Sequence, residues 1–215
     1  MSFVTLLVIA IVIVWVLEAI SSKIAGREGE KMENLPELAN DVIDEIDRPL
    51  KRMRSLVEKC AARHGDDHYV KDGALEKERI RLGMNVDLLH LFSYLAAFDG
   101  VVTGPERVMM KSVLGYVPDE EDVFRFAREV EEEMGSGESI FSLLCFHLVR
   151  LGCVEEALSY VDGLVEIGKV MLRETGQKDS AIALDLLSLN AKIAIQDIGF
   201  RYHFEDLEEE ELVGA

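Results

Sequence analysis

Apolar and polar positions alternate along the chain in a few distinct rhythms, and each rhythm predicts a helix. Residues 3–17 are apolar except for Thr5, and the apolar character resumes after Glu18 with Ala19, Ile20 and Ile24. A helix over residues 3–24 would be about 33 Å long, enough to cross a hydrocarbon core of about 30 Å. A cleaved signal peptide requires a basic leader, for which Met1 and Ser2 leave no room, so a single membrane span is expected. Leu35, Leu38, Val42, Ile46, Leu50, Met53, Val57 and Cys60 then recur at spacings of three and four, the mark of one amphipathic helix face. Pro49 falls inside that helix and is expected to kink or divide it, because proline removes an amide donor and crowds the preceding turn.

Further on, residues 86–98 are apolar on nearly every side, and thirteen residues are too few to span a bilayer. Such a segment is expected at the centre of a soluble bundle. Residues 140–151 and 181–200 repeat the pattern, the latter carrying Ile182, Leu186, Leu189, Ile193 and Ile198. Residues 155–175 are more amphipathic, and Gly163 and Gly168 weaken the expectation of an unbroken helix there. No β-type alternation of useful length occurs. The predicted fold class is all-α: an N-terminal transmembrane anchor (1–25), a juxtamembrane linker and helical stalk (26–80), a helical bundle (81–203) and an acidic tail (204–215).

Charge narrows the function classes. The 215 residues carry 23 Lys and Arg against 41 Asp and Glu, a formal net charge of −18, so a nucleic-acid binder working through a basic surface is excluded. Lys23, Arg27 and Lys31 follow the apolar segment, which places the N-terminus outside and the body in the cytoplasm. Residues 3–24 would contact membrane lipid, with Trp15 at an interfacial depth. Glu18 has two readings: a headgroup-level residue, or a polar contact with a membrane-associated protein partner. Cys60, Cys145 and Cys153 are too few and too scattered for a disulfide framework, in keeping with a reducing compartment. His64-Gly65-Asp66-Asp67-His68 reads as a polar turn.

The most informative stretch is residues 88–107, L-L-H-L-F-S-Y-L-A-A-F-D-G-V-V-T-G-P-E-R. Asp99-Gly100 closes the buried helix, with Gly free to take the left-handed conformation. Thr103 caps the next helix, Pro105 suits its first turn, and Glu106 stands three residues on, where a capping box requires it. Ala97, Asp99, Gly100, Val102, Thr103 and Glu106 make this segment resemble the TerB-like (tellurite-resistance B) helical family, whose apolar helix runs into an A-D-G-x-V/I-S/T/D-x-x-E connection. Phe98 stands where that family more often has a small residue, and the only second-half echo is Y-V-D-G-L-V at residues 160–165. The resemblance implies a small acidic helical module of the kind found in stress-response and membrane-associated complexes. It also implies Asp99 and Glu106 as acidic positions for a divalent cation, beside the capping roles that both can fill without metal.

No cofactor is implied by any motif. G-x-S-x-G, Walker A, H-E-x-x-H and C-x-x-C are all missing from the sequence, and His90 and His147 sit on strongly apolar helices. The expected function is a non-enzymatic, membrane-anchored adaptor or scaffold that recruits a protein partner to the cytoplasmic face. The alternative is a divalent-cation-sensing module of an envelope-stress or phage-defence system. Asp119, Glu120, Glu121, Asp122, Glu129, Glu131, Glu132 and Glu133, with the 205–211 acidic run, mark either a docking face for a partner with a basic surface or a solvated face. The topology is testable: a C-terminal reporter active only outside the cytoplasm should stay silent, and a strong signal would reverse the orientation.

Overall fold

The computed structural model describes residues 38–64, 73–136, 140–177 and 180–213. Among them the fold is all-helical: α1 (Asn40–His64), α2 (Gly73–Ala97), α3 (Gly104–Leu114), α4 (Glu120–Ser136), α5 (Leu143–Arg150), α6 (Val154–Thr175) and α7 (Ser180–Val213). None of these helices is long and apolar enough to cross a membrane. The expected anchor, with Trp15 and Glu18, and most of the His64-to-His68 turn lie outside the described residues.

Two helices organise the bundle. α2 packs on α4, α5 and α3, and α6 packs on α1, α7 and α5. The predicted central segment of α2 is buried as expected, with Leu88, Leu91, Phe92 and Leu95 among Met109, Leu148, Leu164 and Ile167. Removing a large apolar side chain from water contributes about 1.5–3 kcal/mol, so this cluster is what drives the chain to fold.

Three expectations are corrected. The predicted stalk is not a free-standing element, because Val42, Ile46, Met53, Val57 and Cys60 are buried against α6 and the compact unit begins at Leu38 rather than at residue 81. Pro49 does not divide α1, which runs as one helix from Asn40 to His64, and is itself buried. The glycines of α6 do not break it either. A Cβ on Gly163 would lie 2.5 Å from the Met53 sulfur, and one on Gly168 would lie 2.7 Å from Leu184 Cδ1. The two glycines are therefore the notches into which α1 and α7 close. For the same reason the Y-V-D-G-L-V echo is a continuous helical turn rather than a second connection.

A further correction concerns α7. Ile182, Leu186, Leu189 and Ile193 were expected in the core, yet they are 65%, 47%, 55% and 55% exposed. The buried face is the other one, built from Ala183, Leu184, Leu187, Ala191, Ala194, Ile195 and Ile198. Both faces are apolar, and the face with three alanines wins because small side chains let α7 approach α6 closely. The backbone of α7 stays helical through Val213, so the acidic run begins as a helix rather than as a frayed tail.

The D-G connection is as expected. Gly100 has φ +82°, and Asp99 Oδ1 accepts a hydrogen bond from the Val101 amide at 3.0 Å. Nothing lies within 4 Å of a Cβ built on Gly100, so only backbone strain opposes a side chain there. Gly100→Val should lower stability by about 1 kcal/mol or more, read as the midpoint of urea unfolding. Gly104→Ala, at an equally open position without positive φ, should be nearly neutral; equal midpoints for the two variants would show that the connection is unstrained.

Candidate functional site

The most concentrated polar chemistry in the bundle surrounds Asp87, a lone carboxylate on the otherwise apolar part of α2. It is fully buried. Its Oδ2 accepts hydrogen bonds from the Ser142 hydroxyl at 2.7 Å and the Tyr160 hydroxyl at 2.9 Å, and a longer one from the Leu144 amide at 3.3 Å. Its Oδ1 accepts from the Leu143 amide at 2.7 Å. Ser142 in turn accepts from the Cys145 amide at 3.1 Å, so Asp87 and Ser142 together satisfy the first free N–H groups of α5. Burial pushes the Asp87 carboxyl up to about 6, against the pull of the Ser142 and Tyr160 hydrogen bonds and the charge of His90. Burial likewise raises the Cys145 thiol and the Tyr160 phenol well above their usual ranges. This carboxyl joins three helices.

Nearer the surface, His90 faces α4. Its Nδ1 lies 3.4 Å from the Phe141 carbonyl oxygen, its Nε2 lies 3.6 Å from Glu129, and its ring leans on Phe126 at 5.7 Å between centroids. The neighbouring His90 ring holds the Glu129 carboxyl below its usual range, whereas burial raises that of Glu133.

The residues that the sequence singled out for a cation have structural partners. Glu106 is buried, and its Oε2 accepts from the Thr103 amide at 2.6 Å and the Thr103 hydroxyl at 2.9 Å, the predicted capping box. Burial raises its pKa, and Oε1 is enclosed without a hydrogen-bond partner. Asp99 is exposed and spends its second oxygen on the Gln177 amide at 2.9 Å. Among the described residues no third His, Cys or acidic side chain joins the two. Cys60, Cys153 and Glu156 do come together, with ligand atoms within 4.8 Å of one another. There, burial pushes the Cys60 thiol up to about 12, and Glu156 is engaged by Arg63 at 2.9 Å. A thiol protonated at neutral pH is neither a nucleophile nor a ready metal ligand. Beside it, Lys51, Arg52, Lys59 and Arg63 line a shallow groove of about 590 Å³ on α1.

The predicted acidic face on α4 is partly consumed by the fold. Asp119 accepts from the Asp122 amide at 2.8 Å, Glu120 pairs with Arg107 at 3.1 Å, and Asp122 and Glu129 flank Arg125 at 2.7 and 3.3 Å. Glu121, Glu131 and Glu132 remain exposed to solvent, while Glu133 is half-buried. The side chains of the 205–211 run lie outside the described residues.

What sequence reading missed is the exposed row on α7. Ile182, Leu186, Leu189 and Ile193 follow one another at intervals of four, three and four, a straight seam along the helix, and Phe200 continues it at 65% exposure. The available signal was the segregation of alanines to the opposite face. Compared with family models, with curated proteins and with solved structures, the chain matches none.

The Asp87 network has a pH signature. Because the folded carboxyl titrates near 6 rather than at 3.8, the folded state holds its proton more tightly than the unfolded chain does. Stability is then greatest below the unfolded value and falls as pH rises through the folded one, by about 3 kcal/mol in total. Calorimetric melting between about pH 4 and 7 should show this decline, and Asp87→Asn should flatten it. Asp87→Ala, which strands four donors, should cost several kcal/mol at any pH. An unchanged slope in Asp87→Asn would assign the pH dependence to other groups.

Proposed function

We propose that the chain is a membrane-tethered helical adaptor that holds a protein partner at the cytoplasmic face, with residues 3–24 as its tether. The observation that carries this reading is the exposed apolar row of α7. Scattered apolar residues are ordinary on a protein surface, but four large aliphatic side chains aligned on one helix face mark an interaction site. Two features support it further. The buried Asp87, Ser142 and Glu106 are engaged in capping and helix joining, and the TerB-like connection at residues 97–106 implies a module of membrane-associated complexes. In this reading the exposed Glu121, Glu131 and Glu132 lie off the contact row and set the salt dependence of association without anchoring it.

A photo-crosslinking residue at Leu189, in membranes from cells making the full chain, should trap a protein, and the same residue at Glu132 should not. Leu189→Glu should weaken co-purification of that protein about tenfold or more while leaving the helical circular-dichroism spectrum intact, since Leu189 is 55% exposed. Glu121→Lys, Glu131→Lys and Glu132→Lys together should change the salt dependence of association while leaving the crosslink. Asp119 is left intact because it caps α4. If Leu189 traps nothing and Leu189→Glu retains full co-purification, α7 is not the docking element and the adaptor reading falls.

A further inference from the structure

Resting on the adaptor reading, we infer that the partner seated on α7 is a second copy of this chain, paired antiparallel through Ile182, Leu186, Leu189 and Ile193.

The first ground is the order of the row itself. Ile, Leu, Leu and Ile at intervals of four, three and four read the same in either direction along the helix. A two-fold axis crossing α7 between residues 187 and 188 therefore sets Ile182 against Ile193 of the partner subunit and Leu186 against the partner's Leu189. An isologous dimer requires this of a surface: the same patch must complement itself after a half-turn. Only these four positions are self-complementary; Phe200, exposed seven residues beyond Ile193, lies outside the paired stretch. The spacing also suits helix pairing, because positions alternating by three and four stay on one seam when two helices lie side by side.

Charge supplies the second ground. Two copies of a chain with a net charge of −18 repel each other, so any self-contact must fall where that charge is locally absent. From Ser180 to Arg201, α7 carries only Asp185, Lys192, Asp197 and Arg201, two acidic and two basic residues. Asp185 and Lys192 stand two turns apart on one flank of the row. In antiparallel pairing that flank meets the same flank of the other copy, which brings Asp185 to within about one turn of the partner's Lys192. Lys192 already reaches Asp162 at 2.6 Å, and Asp162 remains 59% exposed, so the basic group is held at the edge of the seam.

The acidic end of the same helix chooses the direction. Residues 205–211 contain Glu205, Asp206 and Glu208 through Glu211, and the backbone there is still helical. Parallel pairing would set two such runs side by side at the roughly 10 Å separation of packed helices. Antiparallel pairing about residues 187 and 188 holds them roughly 50 Å apart at about 1.5 Å per residue, several times the Debye length of about 8 Å at physiological salt.

The test uses the full chain in detergent or nanodiscs. Its mass should double with rising protein concentration, and Leu189→Glu should keep it at one copy with an unchanged helical circular-dichroism spectrum. Differently tagged Leu186→Cys and Leu189→Cys proteins, mixed and mildly oxidised, should form the mixed disulfide in preference to either self-pair. The native Cys60, Cys145 and Cys153 are buried and stay out of this reaction. Self-pairing of Leu186→Cys above the mixed product would mean a parallel contact and overturn the inference. A single-copy mass at all concentrations, with no mixed disulfide, would also overturn it. In that case a photo-crosslink from Leu189 to a different protein would leave the adaptor reading standing, whereas loss of both signals would remove the two together.

Discussion

One buried carboxylate ties the bundle together. An ionisable group away from water is costly unless its oxygens are filled, and Asp87 has four donors aimed at two oxygens. Those donors come from two places, the start of α5 and the middle of α6, while Asp87 itself belongs to α2. The consequence is greatest for α5. Eight residues are too few to hold a helix by themselves, so its first turn must be fixed from outside. With that turn fixed, Leu144, Leu148 and Val149 face inward and fill the space between α2, α6 and α7.

Around that centre the helices divide by the size of their side chains. α6 offers glycine to Met53 of α1 and to Leu184 of α7, and α7 carries its alanines on the buried face. Close approach on the small side leaves the bulky side of α7 facing water. The exposed aliphatic row is thus a by-product of internal packing: with the alanine-bearing face turned inward, Ile182, Leu186, Leu189 and Ile193 are left on the outside.

Much of this was legible in the chain. The helical class, the D-G turn with its left-handed glycine and the Thr103–Glu106 capping box follow from short-range rules, in which a few neighbouring residues decide the local backbone. Three features depend on distant partners. The amphipathic rhythm of α1 is the same for a stalk and for a packed helix, and only the Met53–Gly163 contact separates them. α7 has two apolar faces, and periodicity cannot rank them; the alanines could have. Asp87 passed unnoticed because one polar letter in an apolar run has no partner in its own neighbourhood, its donors lying 55 to 73 residues away.

The seating of α1 has a mechanical side. Its buried side chains interlock with α6 along most of its length, and Glu45–Arg173, Arg52–Glu166 and Arg63–Glu156 bridge the same two helices at both ends and the middle. A pull applied at residue 38 along the axis of α1 would load those contacts in shear, so that they resist as a set instead of peeling away one at a time. Tension arriving from the N-terminal side would then be shared across the whole α1–α6 seam before it reached the Asp87 centre, and the bundle could bear load without losing the shape of the face it presents.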